Sequence, residues 1–214
     1  MDKRIDSTAA DAARAASRLA PTSRNGGRPR RLVLIGPPGS GKGTQAQILA
    51  DELGVPAIST GEMLRAAVVA ESDLGRRVAG FLADGALVDD ATMAEVVRER
   101  LTQSDAARGF LLDGYPRTEG QAATLEEILA GRGEALDAAL LIQVPEDEVM
   151  QRIADRGRAD DGESVARARI DVFREAKPLL VGYYRRRGLL REVDGHHPIE
   201  QVTSNLLAAL GDPR

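Results

Sequence analysis

Apolar positions along the chain fall into two kinds of pattern. Short uninterrupted runs are Leu32-Val33-Leu34-Ile35, Phe110-Leu111-Leu112 and Ala138–Val144, with shorter stretches at Ala57-Ile58-Ser59 and Leu189–Val193. Each predicts a strand, and Leu32–Ile35 and Phe110–Leu112, bounded by Gly36 and by Asp113-Gly114, predict buried ones. Between them the apolar residues recur every three or four positions. Ala46, Leu49, Ala50 and Leu53 form one such face, ended by Gly54, and Met93, Val96, Val97 and Leu101 form another. The same period predicts helices near 61–70, 74–83, 118–130, 146–155, 163–187 and 198–210. Strands alternating with helices predict an α/β fold, a parallel sheet of about five strands covered by helices on both faces. No internal repeat is apparent.

The first strand runs into Gly36-Pro37-Pro38-Gly39-Ser40-Gly41-Lys42-Gly43-Thr44, and a helix follows. A loop of this kind lets backbone N–H groups converge on phosphate oxygens, and the helix N-terminus adds its partial positive charge. Lys42 supplies a point charge able to follow a transferring phosphoryl group. The chain has only Lys3, Lys42 and Lys177 among its many basic residues, so a lysine in this slot is not compositional drift. A generic phosphate loop places Ser or Thr directly after the lysine. Here that position is Gly43, and the hydroxyl comes one residue later, at Thr44.

Composition narrows the classes. With 214 residues and 43% hydrophobic content, the chain builds one substantial core. A formal net charge of −4 argues against general nucleic-acid affinity. There is no cysteine, which rules out disulfides and thiolate metal sites and points to the cell interior. No apolar run approaches the ~18 residues that span a membrane. Residues 1–29 are rich in Ala, Ser and Arg and predict a disordered or weakly helical leader ahead of a domain over 30–214. Three aspartates count against an organelle-targeting peptide there.

The displaced hydroxyl is the spelling of one family. The nine loop residues resemble the phosphate loop of the adenylate kinases, and most of the chain after Arg31 is similar to that family in order. Ile58-Ser59-Thr60-Gly61-Glu62-Met63-Leu64-Arg65 resembles the start of the AMP site. There Thr60 offers a hydroxyl toward base or ribose, and Arg65 can clamp a monophosphate bidentately. Gly85-Ala86-Leu87-Val88 resembles the stretch that contacts adenine. Gly109–Thr118 resembles the motif whose Asp113 ends a strand at the ligand crevice. The resemblance implies that Gly114, Tyr115, Pro116 and Arg117 contact AMP, that Gln121 reads its base edge, and that Asp113 holds Mg²⁺ through water.

It further implies a helical AMP-binding insert over about 59–88 and a short mobile lid over about 155–163. ATP contacts then fall to Gly39, Ser40, Gly41, Lys42, Gly43, Thr44, Arg152 and Arg156, with Gly195 and His197 at the adenine. Arg158 and Arg169 serve both phosphate chains, and Lys42, Arg117, Arg156, Arg158 and Arg169 are the catalytic group. Clustered guanidinium forks are what phosphoryl transfer demands of a protein. UMP/CMP kinases, the near relatives, carry a small residue at the Thr60 place and Asn at the Thr118 place, so Thr at both favours AMP. The implied reaction is Mg·ATP + AMP ⇌ 2 ADP, by a monomer in the cytoplasm. Its partners are small nucleotides, with neither nucleic acid nor membrane involved. The lid is too short, and too poor in cysteine, for a structural zinc. A P-loop GTPase would need Asn-Lys-x-Asp, which the chain lacks. A catalytically silent nucleotide binder fits poorly with the full set of cations.

Overall fold

The computed structural model describes residues 30–156 and 162–211. Five parallel strands, β1 (Arg30–Ile35), β2 (Ala57–Ser59), β3 (Gly109–Asp113), β4 (Ala138–Gln143) and β5 (Leu190–Asp194), form one sheet in the order β2-β3-β1-β4-β5. Among the described residues the helices are α1 (Lys42–Leu53), α2 (Thr60–Val69), α3 (Asp73–Asp84), α4 (Asp90–Leu101), α5 (Glu119–Ala130), α6 (Glu146–Arg156), α7 (Glu163–Arg186) and α8 (Ile199–Ala209). A short 3₁₀ turn at Ser104–Arg108, which the apolar pattern does not announce, leads into β3.

The two-residue period of the strands sorts their side chains between two cores. On one face lie Val33, Ile35, Phe110, Leu112, Ala139 and Leu141, packed under α4, α5 and the second half of α7. On the other lie Leu32, Leu34, Leu111, Ala138, Leu140 and Ile142, covered by α1 and α8. A third, small cluster of Val149, Ile153, Ala166 and Ile170 joins α6 to α7. The two helices on either side of residues 157–161 thus have an apolar contact of their own.

Side-chain oxygens of Ser59, Ser72, Asp89 and Thr118 cap α2 to α5 by accepting from backbone N–H groups three residues on. These caps set where each helix leaves the sheet. β1 is flanked by β3 on one side and β4 on the other, so the connections diverge at its C-terminal end. Open parallel sheets place their ligand crevice at such a point. The predicted α/β architecture is therefore the observed one.

Candidate active site

At the end of β1 the chain turns through Gly36–Gly41 into α1. Gly39 and Gly41 have φ of +80° and +88°, a region that favours glycine. The loop is also walled from behind: a Cβ on Gly39 would stand 2.8 Å from the Val149 carbonyl on α6. Lys42, the first residue of α1, arches back over the loop. Its Nζ donates to the carbonyls of Gly36 and Pro37 at 2.8 and 2.7 Å. The ammonium therefore sits across the loop mouth, beside the N–H groups that open α1.

Asp113 ends β3 next to this loop; a Cβ on Gly43 would be 3.8 Å from its Oδ2. That is ordinary van der Waals contact, which sets the carboxylate beside the first turn of α1. Beyond Asp113, the Arg117 side chain turns inward and its Nε donates to Gly114 O at 2.8 Å. Its guanidinium opens onto the cleft yet lies deep among protein atoms. That desolvation lowers its pKa from the usual guanidinium value; Asp113 opposes the shift, and the charges of Arg169 and Arg65 add to it. Arg65, Arg117 and Arg169 all line the same cleft. Arg65 folds toward Gly61, and Arg169, from α7, donates through Nη2 to Leu82 O at 3.3 Å. Three guanidinium groups beside one carboxylate make an anion site.

At the opposite end, Arg152 on α6 donates to Gly195 O at 3.1 Å and pairs with Glu148 one turn earlier. Gly195 is held against the sheet: its N–H donates to Gln143 O at 2.7 Å, and a Cβ there would meet Ile142 Cγ2 at 2.5 Å. A single cleft of about 760 Å³ connects the two ends. It is lined by Gly39–Thr44, Asp113, Gly114, Pro116 and Arg117. Arg65, Ala86, Leu87 and Arg169 close one end, and Arg152, Gly195 and His197 the other.

Four of the sequence-predicted residues do not line this cleft. Thr60, Val88, Tyr115 and Gln121 are buried behind its wall. Thr60 Oγ1 donates to Asp113 O at 3.3 Å, and Tyr115 Oη donates to Gln121 O at 3.1 Å. Burial, with the charge of Asp90, pushes the Tyr115 phenol up to about 12. Gln121 spends its amide on Asp90 and the Arg117 backbone. Thr118, weighed for base selectivity, is the N-cap of α5. Arg158 and the Arg156 side chain lie outside the described residues, as does the leader.

The sequence pattern passed over several contributors, among them Leu82, Leu180, Ile199 and Val202. Val172 and Phe173 on α7 form part of the apolar floor of the cleft. Phe173 follows Ala166 and Ile170 at seven and three residues and so continues the buried face of α7, which is the signal that would have found it; Val172 lies off that spacing. Among the described residues no group of three or more His, Cys, Asp or Glu is placed to hold a metal. Nor is any described helix long and apolar enough to cross a membrane.

Comparison with known proteins identifies the family. Residues 34–189 match the adenylate kinase family. The chain is similar to the adenylate kinase of Thermobifida fusca, 47% identical over 184 residues, which is 84% of this chain and 97% of that one. It is 46% identical over 184 residues to the adenylate kinase of Kocuria rhizophila, covering 84% and 98% of the two chains. Over 185 residues it is 43% identical to that of Xylella fastidiosa, covering 85% and 99%. With its phosphate loop, its ordered motifs and this likeness over nearly the whole length of its relatives, the chain belongs to the adenylate kinase family.

Proposed function

We propose that the chain catalyses Mg·ATP + AMP ⇌ 2 ADP by direct in-line transfer of the γ-phosphoryl group. One observation carries the reading: a single cleft joins a phosphate loop to a separate cluster of three arginines across Asp113. A triphosphate on the loop and a monophosphate on the arginines would meet end to end. Holding two reactants so supplies most of what phosphoryl transfer asks of a protein.

The donor phosphates lie along the backbone N–H groups of Gly39–Thr44, and Lys42 swings from its loop carbonyls to the transferring oxygens. Arg65 and Arg117 grip the acceptor phosphate, with Arg169 bridging the two phosphate chains. Arg156 and Arg158 arrive with the lid and complete the charge around the equatorial oxygens. The acceptor phosphate is already anionic, so no side chain needs to act as nucleophile or base. Ala86, Leu87 and the Gly114–Pro116 backbone face the acceptor. Thr60, Tyr115 and Gln121, standing behind them, hold that wall in shape and serve base selection from there. At the other end Arg152, Gly195 and His197 border the donor base.

A divalent ion fits the residues present. Asp113 is a carboxylate on the loop side of the cleft, and Mg²⁺ keeps most of its water and leans on substrate phosphates, so it needs few protein ligands. Asp113, with Thr44, would hold it. When bound, the ion adds positive charge at the donor phosphates.

The working form is a monomer, because one chain carries every group the transfer uses. Its place is the cytoplasm, where it would balance the adenine nucleotides and salvage AMP. The test is ADP formation from Mg·ATP with AMP, UMP, CMP or GMP offered singly. Fast turnover with AMP alone is expected. Preference for UMP or CMP would refute the choice of acceptor, and no transfer to any of them would refute the kinase reading.

A further inference from the structure

Behind the base end of the cleft, three polar side chains from two elements, Glu148, Arg152 and His196, form a chain of contacts. Glu148 and Arg152 stand four residues apart on α6, acid before base, the order that favours pairing along a helix. Glu148 uses both carboxylate oxygens: Oε1 accepts from Arg152 Nη2, and Oε2 lies against His196 Nδ1 in the turn between β5 and α8. Arg152 Nη2 also donates to Gly195 O in that turn at 3.1 Å. Its Nη1 reaches the other way, 4.0 Å from where a Cβ on Gly41 would stand. The guanidinium thus spans from the turn to the phosphate loop, and Glu148 is the anchor of that span. The turn itself is braced, since His196 N donates to Asp194 Oδ1 at 2.8 Å and His197 Nε2 lies 3.3 Å from Asp194 Oδ2.

We propose that Glu148 is a positioning residue for the donor nucleotide. It holds Arg152 in the one conformation that walls the base end of the cleft, and with His196 it clips α6 to the β5–α8 turn. An arginine left to itself samples many rotamers, and a ligand that needs one of them must order it on binding. Glu148 does that ordering beforehand. The flat guanidinium is then presented for stacking on a purine, which its planar charge suits. Stability is not the purpose. The side chains of Arg152 and Glu148 are 31% and 24% exposed and that of His196 is 63% exposed, so screening leaves the contacts little weight in folding. The proposal rests on the kinase reading for the identity of the ligand, Mg·ATP.

Binding of Mg·ATP by equilibrium titration, without acceptor, tests it directly on the full chain. Steady-state KM for each substrate and binding of Mg·tripolyphosphate, a donor chain with no base, are measured alongside. E148A is expected to raise both the Kd and the KM for Mg·ATP about fivefold. The KM for AMP, the kcat at saturation, the melting temperature and the affinity for tripolyphosphate should hold. E148Q, which keeps an acceptor for Arg152, should recover about half of the loss, and H196A should cost about twofold in the same direction. The proposal is overturned if E148A leaves Mg·ATP affinity unchanged, or if it weakens ATP, AMP and tripolyphosphate alike. A wild type that binds Mg·ATP yet makes no ADP would refute the kinase reading while the titration still decides the role of Glu148. A wild type that binds no Mg·ATP would refute both.

Discussion

The backbone N–H of Arg117 donates to Oε1 of Gln121 at 2.8 Å, so the residue that faces the cleft is held by one that does not. The other end of the same amide donates through Nε2 to Asp90 at 2.8 Å. Gln121 is 2% exposed and links the turn after β3, the first turn of α5 and the start of α4. Its Oε1 and Nε2 are thereby assigned by their partners.

Gln121→Leu should therefore damage both stability and acceptor binding. It removes two part-buried hydrogen bonds, to the Arg117 N–H and the Asp90 carboxylate, at about 1 kcal/mol each and so about 2 kcal/mol in all. For a domain of this size that lowers the melting temperature by about 6 °C. The KM for AMP should rise more than that for ATP, because Arg117 loses its support and the phosphate loop does not. Equal rises in both would show that Gln121 serves the fold alone.

Lys42→Ala should act in the opposite sense. The two hydrogen bonds of its Nζ go to loop carbonyls at the open mouth of the cleft, so the fold depends little on them. Turnover should fall by about three orders of magnitude, with the melting temperature within about 2 °C of wild type. Stopped-flow or coupled ADP assays measure the first and thermal unfolding the second. A variant with near-normal turnover would remove Lys42 from the catalytic group.

Local rules made the scaffold legible. The three central strands are apolar runs ended by a turn-former, and α1 is announced by a loop whose Gly39 and Gly41 sit at positive φ. Even α7, predicted through Pro178, continues unbroken. That proline forfeits a helix bond at about 3 kcal/mol, which the burial of Leu180, Val181, Tyr183 and Tyr184 just beyond it offsets. What could not be read is where polar side chains spend their hydrogen bonds. Gln121 and Asp90 are 31 positions apart, and Glu148 and His196 are 48 apart. No local period joins such pairs. For the same reason Thr60 read as a group facing the ligand, although its hydroxyl is committed to the Asp113 carbonyl. The 3₁₀ turn at Ser104–Arg108 carries too few apolar positions to show a period.

Two glycines of α3 should respond oppositely to the same change. A Cβ on Gly75 would lie 2.0 Å from Ala67 O on α2, so the two helices approach as closely as glycine allows. Gly75→Ala forces them apart, should cost about 3 kcal/mol and should weaken AMP binding through Arg65 on α2. Gly80 has nothing within 4 Å of that position and sits on the exposed face of α3. Gly80→Ala should therefore stabilise by about 0.5–1 kcal/mol, from the helix propensity of alanine alone. Chemical denaturation of the pair checks both signs. A stabilised Gly75→Ala would show that α2 and α3 are free to separate.

Acid should weaken the sheet at one identifiable point. Glu134, just ahead of β4, pairs with Arg31 at 3.0 Å and with Arg132 at 2.9 Å. Burial alone would raise its pKa, but hydrogen bonds and charge from the two guanidinium groups outweigh it and hold the carboxyl below its usual 4.5. A folded-state pKa below the unfolded value means the unfolded chain binds the proton first as pH falls. The stabilisation is thus fully present above pH 4.5 and is lost as pH drops through the lower folded value. Arg31 is the second residue of β1, the central strand, and its N–H also donates to Asp137 at 2.7 Å, so the loss is felt where β1 meets β4. Melting temperature followed from about pH 6 to about pH 3 should fall for the wild type, and fall less steeply for Glu134→Gln. The variant should start lower, having given up the charge pair at neutral pH. Identical slopes for the two proteins would mean that other carboxylates govern the acid limb and that the pair with Arg31 adds nothing to it.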